Sequence, residues 1–202
     1  MARPRLHDLD QLLDHARELW AEDGPNALTI RALSTRSGVS NGAIYNAFGS
    51  RANLLARVWA REAEAFLRFQ AEAATGQLGD DDRTAAVVAA ALAPADYVRH
   101  HEASAARLLL SVRPDDLLQE DLGPDERARL LDLRRRLGRL VRQLAEHVWG
   151  RSDPTTTTLI RYCVVDLPGA LLLADDRITD PLARHALEHA VRGITGHEPT
   201  SN

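Results

Sequence analysis

The sequence of 202 residues contains no lysine, so all 25 of its basic residues are arginine, which points to GC-rich coding and says little about function. Its single cysteine, Cys163, excludes an intrachain disulfide and suits a reducing cytoplasm. The N-terminus, MARPRLHDLD, has no apolar run behind its arginines, which excludes a secretory signal at that position. These absences favour a cytoplasmic protein.

Long apolar runs are also missing. The most apolar candidate, 159–174, carries Arg161 and Asp166, so we expect no membrane-spanning helix. Strand-like alternation does not persist anywhere, whereas apolar residues recur at helical spacing along most of the chain. The pattern predicts an all-α protein.

Breaks in composition divide this helical pattern into two parts. The run TGQLGDDD from Thr75 is the clearest break. We therefore predict an N-terminal three-helix domain at 1–50, a linker helix at 51–72 and a C-terminal helical bundle at 73–202. The helices predicted after the break are 82–92, 95–101 (separated from the first by Pro94), 103–112, a long helix that begins at Leu122-Gly123-Pro124 and closes at Gly150, 154–174 (kinked at Pro168) and 181–194.

Charge is distributed unevenly. The net charge is −4, but the positions between Asp23 and Glu62 contain no acidic residue. The arginines in this window are Arg31, Arg36, Arg51, Arg57 and Arg61. A local positive face on an acidic protein is suited to contacts with phosphate groups.

The stretch GVSNG, which begins at Gly38, fits two different motifs. It matches the G-x-S-x-G turn of hydrolases, in which a strand delivers the nucleophilic serine. It also matches the turn and second helix of a helix-turn-helix. The preceding residues, TIRALSTRS, have a helical pattern and no βαβ unit is evident, so the helix-turn-helix interpretation is favoured and Ser40 is expected to be a helix cap.

In the helix-turn-helix interpretation, Thr29 and Ser40 cap two short helices, and Gly38 forms the turn between them. The amides of Asn41 and Asn46 could bond bases, and a thymine methyl could pack on Ala43. Gly42 allows close backbone approach, and Tyr45 could offer its hydroxyl to a phosphate from an otherwise buried ring.

Residues 9–59, LDQLLDHARELWAEDG through LTIRALSTRSGVSNGAIYNAFGSRANLLARVW, resemble the DNA-binding domain of the tetracycline-repressor (TetR) family. The resemblance implies that Thr29, Ser40, Tyr45 and Arg51 hold the phosphate backbone and that 41–46 enter the major groove. Asn41 stands where the family often has lysine, and Asn46 and Ala47 where it often has basic or aromatic residues. We therefore expect Arg3, Arg5, Arg31 and Arg51 to carry more of the phosphate binding. The predicted DNA-contact residues are Thr29, Arg31, Ser40, Asn41, Gly42, Ala43, Tyr45, Asn46 and Arg51.

For the C-terminal part, the resemblance implies an effector-binding bundle that dimerises through its last two long helices, here 154–174 and 181–194. The first of these helices is apolar on most sides, so its surface must be buried against other helices. Gly169 and Ala170 are small enough to allow close contact with another helix. The central helix of a monomeric bundle would show the same pattern.

Candidate effector contacts are inward-facing side chains, although the same pattern is also that of an ordinary core. They are Phe66, Phe69, Val88, Leu92, Tyr97, Leu108, Leu137, Val141 and Asp166, the last being a carboxylate that we expect to be buried and to need a partner. His185 and His189 have metal-site spacing, but no ligand set completes them, and nothing supports Cys163 as a redox sensor. We expect neither a metal nor a cofactor.

Together these features predict a homodimeric regulator, most simply a repressor, that binds a palindromic DNA operator and releases it when a small molecule binds. We expect no enzymatic activity. The alternatives are a serine hydrolase built on Ser40 and a helical protein-interaction module that does not bind DNA.

Overall fold

The computed structural model describes residues 6–79, 81–100, 108–109 and 112–199. Every regular element within these ranges is helical, which confirms the predicted fold class. The α-helices are α1 Leu6–Asp23, α2 Ile30–Ser37, α3 Asn41–Phe48, α4 Arg51–Thr75, α5 Ala85–His100, α6 Pro114–Gln119, α7 Pro124–Trp149, α8 Pro154–Arg161 and α9 Pro181–Thr195. Arg3, Arg5 and most of the helix predicted at 103–112 lie outside the described residues.

The first three helices form a small bundle with its own core. Helix α1 ends at Gly24, whose φ of 83° suits a residue without a side chain. Helix α2 packs against both α1 and α3. The buried side chains at these contacts include Trp20, Leu33, Ile44 and Phe48. Burying several large apolar side chains of this kind is the main source of stability for such a small bundle.

The chain separates into two compact units, and the boundary differs from the predicted break near residue 73. Unit 1 comprises Met1–Glu64 and Glu102–Leu133, and unit 2 comprises Ala65–His101 and Arg134–Asn202. Specific bonds hold the second segment of unit 1. The Asn53 side chain accepts a hydrogen bond from the amide of Gly123 at 2.8 Å, and the Arg57 guanidinium pairs with Glu126.

Unit 2 has a core built from α5, α7 and the C-terminal helices. Two ion pairs join α9 to the region of α5: Arg184 contacts Asp96 at 2.6 Å, and Arg192 contacts Asp82 at 2.5 Å. The predicted helix break at Pro94 is wrong, because α5 continues through this proline. The Ala90 carbonyl, which Pro94 cannot bond, instead accepts from the buried side chain of Gln70 at 3.0 Å.

The helix predicted at 154–174 is not a uniform α-helix. It is α-helical to Arg161 and then has two π-helical stretches, Tyr162–Asp166 and Gly169–Leu173. Pro168 lies between them. Because proline has no N–H to donate, the backbone here cannot keep the regular α-helical pattern, and Leu167 bonds the Tyr162 carbonyl five residues earlier.

The run Pro154–Leu173 is long and apolar enough to cross a membrane by length and composition, with a mean hydropathy of 1.3. This corrects the expectation that no segment passes that test. The core helix of a soluble protein passes it as well, and the residues Ile160, Cys163, Val164 and Leu172 of this run are buried in the core of unit 2.

Candidate nucleic-acid interface

Two hydroxyl side chains fix the ends of the helices in the α2–turn–α3 segment. The Thr29 hydroxyl accepts from the amide of Ala32 at 3.1 Å, and the Ser40 hydroxyl accepts from the amide of Ala43 at 3.3 Å. Gly38 ends α2 in the left-handed region with a φ of 72°. Both predicted caps and the predicted turn are confirmed, and each cap stabilises its helix by about 1 kcal/mol.

The structure removes the context that a hydrolase would need. Ser40 lies at the start of α3, between two helices, and the described part of the chain contains no strand to form a nucleophile elbow. The G-x-S-x-G match at this position is therefore that of a helix-turn-helix.

Helix α3 has one buried and one exposed face. Ile44 and Phe48 point into the core, at 0% and 3% exposure. The exposed face consists of Asn41, Gly42, Tyr45 and Asn46, and Ala43 is partly exposed beside it. The expectation of a largely buried Tyr45 ring is wrong, because the side chain lies on the outer face with 53% exposure.

The positive face is smaller than the arginine count of the sequence suggests. The guanidinium of Arg36 donates two hydrogen bonds to Glu22, at 3.0 and 2.6 Å. Arg57 pairs with Glu126, and Arg61 pairs with Asp14. Acidic residues from outside the acid-free window therefore neutralise three of its five arginines.

Arg51 is also engaged, by backbone carbonyls. Its Nε donates to the carbonyl of Leu28 at 2.7 Å and its Nη2 to that of Pro25 at 2.6 Å. These bonds fasten the α1–α2 loop to the start of α4. The side chain of Arg31, by contrast, is exposed and has no hydrogen bond or ion pair with any residue in the described ranges.

Residues 12–58 match the family model described as bacterial regulatory proteins of the tetR family. This match contains α2, the turn and α3 in full, with the capped geometry described above. This N-terminal segment belongs to the tetR family of bacterial regulatory proteins. A search of curated proteins finds no match.

Solved structures share the fold of this chain over nearly its whole length. The TetR-family regulator PfmR from Thermus thermophilus is 19% identical with a TM-score of 0.62, covering 95% of this chain and 100% of its own. The regulator FadR from Bacillus subtilis, solved with stearoyl-CoA, is 12% identical with a TM-score of 0.61, covering 93% and 97%. The superantigen PfiT is 17% identical with a TM-score of 0.66, covering 94% and 96%. At these identities the likeness shows the fold alone.

The predicted effector contacts fall into separate groups in the structure. Phe66 and Phe69 of α4 meet Tyr97 of α5 edge-to-face, with ring centroids 5.5 and 5.3 Å apart. Val88, Leu92 and Val141 are buried in the core of unit 2, and Leu137 packs against it. Leu108 is buried but belongs to unit 1.

Asp166 does not occupy the expected environment. Its side chain is exposed, so the premise of a costly buried charge is wrong, and it does not line the interior of unit 2. A groove of about 500 Å³ lies elsewhere in unit 2 and contains none of the predicted effector contacts. Its lining residues are Asp81, Arg83, Glu146, His147 and Gly150.

The structure also places the candidate sensing residues. His185 and His189 share one face of α9, with ring centroids 4.2 Å apart. No group of three or more potential metal ligands occurs among the residues that the structure describes. Cys163 is buried, and desolvation raises the pKa of its thiol to about 12, so the reactive thiolate is scarce at neutral pH.

The residue that sequence reasoning missed is Gln70, a polar side chain with 2% exposure within unit 2. Its neighbours in α4 include the charged residues Arg68 and Glu72, so its position in the sequence carried no signal. The proline inside α5 was a signal, since Pro94 leaves the Ala90 carbonyl in need of a donor.

Proposed function

We propose that the chain is a homodimeric transcriptional repressor whose helix α3 enters the major groove of a palindromic operator and leaves it when a small molecule binds unit 2. The observation that carries this proposal is the capped two-helix corner, whose second helix presents a polar outer face. An α-helix fits the major groove of B-form DNA, and the second helix of a helix-turn-helix is the one that reads it.

The phosphate contacts follow from donors that the fold leaves available. A hydroxyl can accept one hydrogen bond and donate another, so Thr29 and Ser40 can cap their helices and still donate to phosphate oxygens. Arg31 supplies a full charge close to Thr29 in sequence, and Tyr45 supplies an exposed hydroxyl. We assign Arg51 chiefly to positioning, because its Nε and Nη2 are bonded to carbonyls.

Base recognition falls to the exposed residues of α3. The Asn41 and Asn46 amides can each donate to and accept from an adenine edge. Gly42 leaves space for close approach, because a Cβ added there would meet nothing within 4 Å. Ala43 offers a methyl group to a thymine methyl.

The dimer is proposed from apolar surface that a single copy leaves exposed. Only 33% of the most apolar 18-residue window in Pro154–Leu173 is buried within the chain. Tyr162, at 49% exposure, and Leu182, at 72%, are large apolar side chains at the surface of the proposed dimer helices. A second copy would cover them, and the small residues Gly169 and Ala170 allow close approach.

Release requires that effector binding changes the position of the two α3 helices. Helix α4 is continuous from Arg51 to Thr75 and contributes residues to both units. An effector that displaces its C-terminal half would alter the spacing of the reading helices, which must lie about 34 Å apart or a multiple of this. A coupling of about 1–3 kcal/mol is typical for such a transition. We place this regulator in the cytoplasm.

Selection of duplexes from random DNA tests the proposal. We expect enrichment of a site with two symmetric halves whose centres lie about one or more helical turns apart. Affinity for the enriched duplex should fall steeply with rising salt, because bound arginines release counterions from DNA. Failure to enrich any sequence, or binding unaffected by salt, would contradict the proposal.

A further inference from the structure

Gln70 is a polar side chain held inside unit 2 by two hydrogen bonds. Its Nε2 donates to the carbonyl of Ala90 at 3.0 Å and to that of Val164 at 3.3 Å. The residue has 2% exposure. Both hydrogens of its amide are therefore used, and they connect α4 to α5 and to the π-helical stretch Tyr162–Asp166.

The Ala90 acceptor is a carbonyl that a proline has left without its α-helical donor, and the Val164 acceptor lies in the π-helical stretch just before Pro168. Ala90 lies four residues before Pro94, and Val164 lies four residues before Pro168. In an α-helix each carbonyl would bond the amide four residues later, and proline has no such amide. The Gln70 amide supplies the donor that the Ala90 carbonyl lacks and makes a second bond to the Val164 carbonyl.

This arrangement fixes which way the Gln70 amide faces. Turning the amide over would bring Oε1 against two carbonyl oxygens, which is repulsive, so the assignment of nitrogen and oxygen follows from the bonding. The Oε1 atom is buried and has no hydrogen-bond partner among the described residues. A buried acceptor without a donor is costly, and native proteins rarely retain one without a purpose.

The aromatic cluster of unit 2 lies close to this acceptor along the chain. Phe66 is four residues before Gln70 and therefore on the same face of α4. Tyr97 is buried, whereas Phe66 and Phe69, the two phenylalanines that pack on it, are both partly exposed. The face of α4 thus combines an aromatic group that reaches the surface with a buried acceptor one turn farther along.

We propose that Gln70 Oε1 accepts a hydrogen bond from the effector, and that the effector is a neutral, largely apolar molecule with a hydroxyl or N–H donor. The aromatic cluster suits an apolar body, and the unpaired oxygen requires a donor. A carboxylate is disfavoured, because the oxygens around the Gln70 amide would repel it and its burial is costly. This inference rests on the proposed function, since it specifies the effector.

Three naphthalene probes that differ only in their polar group test the inference: 2-naphthol, 2-methoxynaphthalene and 2-naphthoate. We expect calorimetry on the full chain to show that 2-naphthol binds about tenfold more tightly than the ether or the carboxylate. A buried hydrogen bond between neutral groups changes affinity by about this factor. In spectra of ¹⁵N-labelled protein, 2-naphthol should shift the side-chain amide resonance of Gln70. Equal affinities, no binding of 2-naphthol or an unshifted resonance would overturn the inference.

Two glutamine substitutions test whether the preference for 2-naphthol depends on Gln70. Gln70→Leu should remove the preference for 2-naphthol over its ether, and Gln143→Leu, which changes an exposed glutamine of α7, should retain it. If Gln70→Leu still binds 2-naphthol more tightly than the ether, the inference is overturned. If that variant does not fold, the affinities of the wild-type protein for the three probes and the Gln70 amide resonance still test the inference. The same preparations are titrated with the selected duplex. If the protein binds DNA in a salt-dependent way but shows no preference for 2-naphthol, the inference about Gln70 is refuted and the proposed repressor is not. If it prefers 2-naphthol but does not bind DNA, the proposed repressor is refuted.

Discussion

Replacing Arg31 and Arg51 separately with alanine is expected to produce two distinct defects. The Arg31 side chain is exposed and unbonded within the described ranges, so its loss should change the free energy of unfolding by no more than about 0.5 kcal/mol. In a dimer, however, the substitution removes two phosphate contacts. Each contact contributes about 0.9 to the slope of log affinity against log salt, so the slope should become less steep by about 2.

Arg51→Ala should act mainly on stability. The substitution removes two charge-assisted hydrogen bonds, at 2.7 and 2.6 Å, and leaves the Leu28 and Pro25 carbonyls without their donor. The site is only partly buried, so we take about 1 kcal/mol for each bond and about 2 kcal/mol in total. For a chain of this size, that free energy corresponds to a fall in Tm of roughly 4–8 °C.

Calorimetry measures the stabilities, and fluorescence anisotropy with the selected duplex measures the salt slope. Arg68→Ala, which removes an exposed arginine from the C-terminal half of α4, serves as the control and should leave both quantities unchanged. The reasoning is refuted if Arg31→Ala lowers Tm by several degrees. It is also refuted if Arg51→Ala flattens the salt slope while Tm stays at the wild-type value.

Three further predictions follow from individual side chains. Tyr45→Phe should weaken binding to every duplex by a similar factor, because a phosphate contact carries no sequence information; a changed site preference in a repeated selection would contradict this role. The Thr84 hydroxyl and the Arg192 guanidinium lower the pKa of Asp82 from 3.8 to about 2. The ionised carboxylate therefore stabilises the fold above pH 3.8, and this contribution is lost as the pH falls from 3.8 toward 2. Urea midpoints should show this loss in the wild type and not in Asp82→Asn, and equal acid sensitivity of the two proteins would rule it out. Cys163, with its pKa raised to about 12, should resist iodoacetamide at neutral pH in the folded protein and react once urea unfolds it; rapid labelling of the folded chain would show the buried position to be wrong.

Local signals in the sequence were sufficient to predict the helix-turn-helix. Thr29 and Ser40 are capping residues followed by apolar residues at helical spacing, and Gly38 suits the left-handed turn. These features depend on neighbouring residues only, which is why both caps and the turn could be predicted without a structure.

Features that depend on distant partners could not be predicted in the same way. The sequence shows that Arg51 is basic, but it does not show that the carbonyls of Leu28 and Pro25 lie within reach of its guanidinium. Likewise, Pro94 normally ends a helix, but α5 continues through it, and the carbonyl of Ala90 accepts a hydrogen bond from Gln70, 20 residues away in sequence. Such contacts between distant segments are not encoded in any local pattern.

Dimethyl sulfate mapping of the selected duplex tests the central claim, that α3 enters the major groove, most directly. The reagent methylates guanine N7, which is exposed in the major groove. We predict two protected patches, one in each half-site, with centres about 10 base pairs or a multiple apart. Unchanged N7 reactivity across the bound site would contradict the account.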